Sequence, residues 1–123
     1  MAKKILMGEG RAALAAVREG TAARAETATA VRYLLQLLEE RAPGKSVEVR
    51  VPPFGVVQCI EGLQHRRGTP PNVIETDADT WLGLATGTLD PASAAGEGRL
   101  RVSGTRADLT AYLPLFDDLE KGH

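Results

Sequence analysis

The chain has 123 residues, 15 basic and 16 acidic side chains for a formal net charge of -1, and a single cysteine. This length supports one domain with its own core. One cysteine excludes an internal disulfide and a cysteine-rich metal finger, and the near-neutral charge lacks the electrostatic footprint of a nucleic-acid binder. Glu9 and Arg11 follow too soon after the N-terminal apolar residues for a secretory h-region, and no run approaches the roughly 18 apolar residues of a membrane span. A soluble cytoplasmic protein in a reducing compartment is expected.

In chain order, residues 9–19 are helix-prone through alanine, with only Leu14 and Val17 as sizeable apolar groups and Gly20 to end the helix. So thin a stripe predicts a peripheral helix or arm over residues 1–20. From about Thr21 or Ala22 to Arg41, Ala28, Val31, Leu34, Leu35 and Leu38 fall at the spacing of one buried helical face, and Pro43-Gly44 stops the helix. The period then changes to two. Val47, Val49 and Val51 alternate with Glu48 and Arg50, so residues 46–51 read as a half-buried strand ended by Pro52-Pro53. Residues 54–60 form a second strand, the expected partner of the first.

A polar connection over residues 61–71 precedes extended residues 72–76. Thr76 or Asp77 then caps a helix with Trp81, Leu82, Leu84 and Ala85, stopped by Gly87. A short helix comes after Pro91. Residues 98–103 predict a strand with Leu100 and Val102 inward, and Thr105 is expected to cap a last helix that carries Leu109, Tyr112 and Leu113 up to Pro114. Residues 21–116 therefore read as one α+β domain, a mainly antiparallel sheet of about four to five strands covered by helices, with a loose charged tail over 117–123.

The chain offers little that could do covalent chemistry. Cys59 lies in an apolar β-prone run where a buried thiol is the ordinary outcome. His65 sits in a Gly/Pro-rich loop, and His123 ends the chain. Asp77 and Asp79, two apart, belong to a helix start rather than to a carboxylate pair. No Gly-rich loop opens a helix. Arg66, Arg67, Arg99, Arg101 and Arg106 read as a solvated surface rather than a patch. The expectation is a non-enzymatic protein with no catalytic residue, no metal and no cofactor.

Residues 74–104, IETDADTWLGLATGTLDPASAAGEGRLRVSG, resemble the sterol carrier protein family. An extended stretch leads into a helix capped by Asp77, then Leu84-Ala85-Thr86-Gly87, then Leu89-Asp90-Pro91, a short helix, and a strand reading Gly98-x-Leu100-x-Val102-Ser103-Gly104. The stretches RVPPFGVVQCIEG and RGTPPNVIETD are similar to a small stand-alone bacterial, actinobacterial-type branch of that family. The resemblance covers about residues 25–115.

The resemblance implies a hydrophobic tunnel between sheet and helices for a lipid, fatty acid or sterol-like ligand. Its expected lining is Val31, Leu34, Leu35 and Leu38 from the long helix, Val57 from the sheet, Trp81 and Leu84 from the middle helix, and Tyr112, Leu113 and Phe116 near the end. Burying about ten methylenes contributes about 8 kcal/mol, and lost freedom offsets about 4 kcal/mol or more, so chain burial alone gives at best millimolar-class binding. The alternative is a homodimerising module with a filled interior. The C-terminus carries no peroxisomal SerLysLeu, in keeping with a bacterial cytoplasmic protein.

Overall fold

A computed structural model describes residues 4–62, 72–104 and 109–115. The elements in chain order are α1 (Met7–Glu19), α2 (Arg24–Arg41), β1 (Val47–Val51), β2 (Gly55–Cys59), β3 (Asn72–Thr76), α3 (Ala78–Thr86), α4 (Pro91–Gly96) and β4 (Leu100–Ser103), and then a 3-10 turn at Thr110–Tyr112. The α+β class and the order of these elements match the sequence reading.

The sheet differs from expectation. Among the described residues it has four strands in the order β2-β1-β3-β4, and it is mixed rather than mainly antiparallel: β1 pairs antiparallel with β2 but parallel with β3, and β3 pairs antiparallel with β4. The cause is the long connection between Cys59 and Asn72. A hairpin brings β2 back along one side of β1, and the connection then carries the chain to the other side, where β3 runs in the same direction as β1. Parallel neighbours need a crossover of about a dozen residues, and the connection supplies it.

The two-residue period gives the sheet distinct faces. Val57, Val49, Ile74 and Val102 align as one row across the four strands, and Thr76 pairs with Leu100 in the next. The opposite face carries the Glu48–Arg50 ion pair and Arg101 beside Glu75 at 3.9 Å. Helices α2 and α3 lie on the apolar face. In α2, Ala30, Val31, Leu34 and Leu38 are fully buried, and Tyr33 and Leu35 nearly so.

That buried arc is wider than one stripe because α2 is covered on two sides. Helix α1 packs along it, burying Leu14 and Ala13. The approach depends on Gly10, where a Cβ would overlap the Tyr33 ring. At the start of α1, the side chain of Gln36 both accepts from the Ile5 N–H (2.9 Å) and donates to its carbonyl (3.0 Å). Helix α2 begins at Ala23, whose N–H donates to Glu26 Oε1 at 2.8 Å; this is half of a capping box, since alanine has no side-chain acceptor to complete it.

The end of the chain also departs from the predicted helix. Residues 105–108, and with them the expected cap at Thr105, lie outside the described residues. Beyond them the backbone makes a single 3-10 turn, because Pro114 forces Leu113 out of the helical region to φ -111, ψ 148. The stretch is held in place all the same: the Leu115 N–H donates to the Ala85 carbonyl at 2.8 Å. The guanidinium of Arg41 donates to the carbonyls of Tyr112 (3.4 Å), Pro114 (3.1 Å) and Leu115 (3.2 Å).

Candidate functional site, an apolar cleft at the β4 side of the sheet

Two local sequence signals fix the helices that wall the site. Asp77 is the N-cap of α3, its carboxylate accepting from the Thr80 N–H at 2.8 Å, and Gly87 ends the helix in the left-handed region at φ 87. Asp90 caps α4, accepting from the Ser93 N–H at 3.1 Å, with Pro91 in the first turn. Thr76, the other cap candidate, instead donates its hydroxyl to the Arg99 carbonyl at 2.8 Å. Arg99 in turn donates from Nε to Thr80 Oγ1 at 3.0 Å, tying the start of α3 to the approach to β4.

Between these helices and the sheet lies a chamber of about 220 Å³. Its floor is Val49, Ile74, Leu100 and Val102 from three strands, its roof Trp81 and Leu84 from α3 with Pro91, Ala92 and Ala95 from α4, and its end wall Leu109, Thr110 and Leu113. No charged side chain lines it among the described residues. Of its polar groups, the Thr76 hydroxyl is committed to Arg99, and Trp81 Nε1 donates to the Val31 carbonyl at 3.2 Å. With those donors engaged, the interior presents mainly carbon.

The chamber adjoins a wider mouth of about 650 Å³. The two share Leu84, Pro91, Ala92, Thr110 and Leu113, and the mouth adds Thr86, Thr88, Leu89, Asp90 and Pro114. Val102 is 51% exposed although it sits on the helix-covered face, so the cover stops short of the outer strand. The cleft is open at that edge.

The expected lining residues do not converge. Trp81, Leu84 and Leu113 line the chamber. Val31, Leu34 and Leu38 sit in the packed core beneath α2, with no face in the cleft. Leu35 and Val57 line a separate open groove of about 710 Å³ beside β2, together with Ile5, Arg32 and Phe54. Tyr112 is half-buried against the core without lining the cleft, and Phe116 lies outside the described residues. Val31, Leu34 and Leu38 of the long helix are therefore packed solid, and the apolar chamber lies at the β4 side of the sheet.

Several lining residues were not singled out by sequence. For Val49, Ile74, Leu100 and Val102 the signal existed, since strand alternation puts all four on the inward face; what was missing was the strand order that makes them neighbours. Ala92 and Ala95 are too small to attract notice. It is their size that leaves the space.

The reactive groups lie elsewhere. Cys59 is fully buried in β2, and burial, with a smaller contribution from the Glu39 carboxylate, pushes its thiol up to about 11. Among the described residues no cluster of three or more His, Cys, Asp or Glu could hold a metal, and no helix is long and apolar enough to cross a membrane. His65, His123, Arg66, Arg67 and Arg106 lie outside the described residues.

Residues 23–115 match the model of a protein family described as bacterial SCP ortholog. No curated protein matches the chain.

Proposed function

The chain belongs to the family of bacterial sterol carrier protein (SCP) orthologs, and on that premise we propose that it is a non-enzymatic carrier of a lipid-like ligand, whose apolar part occupies the cleft between α3, α4 and β4. Membership in the family supports lipid binding in general. The observation that carries the more specific reading is the uncharged chamber itself, floored by four aliphatic side chains and roofed by Trp81 and Leu84. At about 220 Å³ the chamber alone is smaller than the roughly 300–1,000 Å³ of common ligand clefts, and the adjoining mouth of about 650 Å³ brings the space into that range. An alkyl or fused-ring portion gains from leaving water at about 25 cal/mol per Å² of apolar surface.

The test is mass spectrometry of organic extracts from the purified protein, together with titration of the neutral dye Nile red. Ala92 lines both parts of the cleft and is itself exposed, so Ala92→Trp fills the space without invading the core. The variant is expected to fold and to lose dye binding. Unchanged dye uptake by folded Ala92→Trp rejects this cleft as the ligand site.

A second reading, a homodimerising module, draws on Leu6, Met7 and Val56, which are 71%, 60% and 59% exposed. It predicts a dimer by light scattering and no extractable lipid.

A further inference from the structure

Three polar side chains that the mouth adds to the chamber, those of Thr86, Thr88 and Asp90, share one kind of chemistry. The Thr86 hydroxyl donates to the Leu82 carbonyl at 2.7 Å, and the Thr88 hydroxyl donates to the Gly83 carbonyl at 3.4 Å. Both hydroxyl protons are thus turned back onto α3, and a hydroxyl whose proton is used offers only its lone pairs. The third group, the Asp90 carboxylate, is an acceptor and carries the only charge among the described residues that line either part of the cleft. Its bonds from the Ser93 N–H (3.1 Å) and the Ser93 hydroxyl (3.4 Å) still leave lone pairs to spare, because an ionised carboxylate has about four acceptor positions. Arg41, which anchors the neighbouring segment through three carbonyls, is not among the lining residues.

Resting on the reading of this cleft as a lipid-like ligand site, we propose that the mouth selects amphiphiles whose polar end donates hydrogen bonds, an alcohol or an ammonium, and that Asp90 turns away those ending in a free carboxylate. An alcohol places its O–H among three acceptors. A carboxylate has no proton to give and brings a like charge towards Asp90, whose exposed position makes the repulsion short-ranged and sensitive to salt. A cationic head gains from the same carboxylate.

Asp90→Asn isolates the effect, because asparagine is an equally good N-cap and its side-chain oxygen still accepts from Ser93. The experiment is displacement of Nile red from the full chain by dodecanol, dodecanoate and dodecylammonium, each below its micelle concentration. The wild-type protein is expected to rank dodecanoate last. In Asp90→Asn, dodecanoate should strengthen about fivefold, dodecylammonium should weaken by a similar factor and dodecanol should hold; fivefold corresponds to about 1 kcal/mol. Added salt should shrink the shifts in the ionic pair. The opposite signs separate a charge effect from differences in chain hydrophobicity, which the substitution leaves alone. Dodecanoate competing as well as dodecanol in the wild type, or an unchanged ranking in Asp90→Asn, overturns the selectivity while leaving the cleft as a ligand site. Failure of all three to compete overturns the ligand reading and the selectivity with it.

Discussion

Trp81 Nε1 donates to the backbone carbonyl of Val31 at 3.2 Å, across 50 positions of sequence and at a place where both residues are fully buried. The bond pins α3 to the middle of α2. One face of the indole thereby packs in the core while another forms part of the chamber roof, so the residue belongs to both.

Trp81→Phe should therefore destabilise the fold and widen the cleft together. Losing the bond and part of the ring volume is expected to cost about 1–3 kcal/mol, read as a lower urea midpoint with an unchanged slope. Trp81 is also the only tryptophan, so a ligand entering the chamber of the wild-type protein should perturb its emission, and titration with an apolar non-fluorescent alkane alcohol checks this directly.

Arg41 holds the end wall. Replacing it with methionine keeps most of the aliphatic stem and removes the donors to Tyr112, Pro114 and Leu115. Each contact is exposed or half-buried, so the stability loss should be modest, about 1 kcal/mol in all. The larger effect is expected in kinetics: Leu113 is freed with its segment, and bound dye should leave faster than from the wild-type protein in stopped-flow dilution. An unchanged off-rate would show that this segment does not confine the ligand.

Acid should weaken the start of α3. The Thr80 N–H bonded to Asp77 lowers its carboxyl below the ordinary value of 3.8; burial opposes this, and the Thr80 side chain and Arg99 add to the lowering. A lowered native value means the unfolded chain binds the proton first as pH falls. The stabilisation is thus present above about pH 4 and is lost as pH drops through the native value. Asp77→Ala should cost about 1 kcal/mol at neutral pH, and the gap between variant and wild type should close in acid, as measured by urea unfolding across that range.

Cys59 should be inert in the native protein. A buried thiol whose pKa is pushed up to about 11 holds very little thiolate at neutral pH. Iodoacetamide is expected to label it slowly until denaturant is added and then promptly. Because the native thiol keeps its proton to higher pH than the unfolded one, its contribution to stability is complete below pH 9 and declines between about 9 and 11. Fast native labelling would contradict the burial.

The arm before residue 20 depends on a contact that its own residues do not announce. Leu14 and Val17 are a thin apolar stripe, and nothing local says how closely α1 can approach its neighbour. Gly10 against the Tyr33 ring supplies the closeness, and the two residues are 23 positions apart with no periodicity to connect them. Gly10→Ala is accordingly expected to loosen α1 from α2, seen as faster amide exchange along α1.

What the sequence determined by itself is everything set within a few residues: the amphipathic spacing of α2, the two-residue alternation of β1, the cap at Asp77, the first-turn Pro91 of α4 and the stop at Gly87. These depend on backbone geometry and nearest neighbours, which a linear chain carries. The strand order, the parallel pairing of β1 with β3 and the place of the cavity were decided only in three dimensions. A space is what side chains from remote segments fail to fill; Val31, Leu34 and Leu38 of α2 supply enough volume to close their part of the interior, whereas the small Ala92 and Ala95 of α4, which line the chamber with Leu100 and Val102, do not.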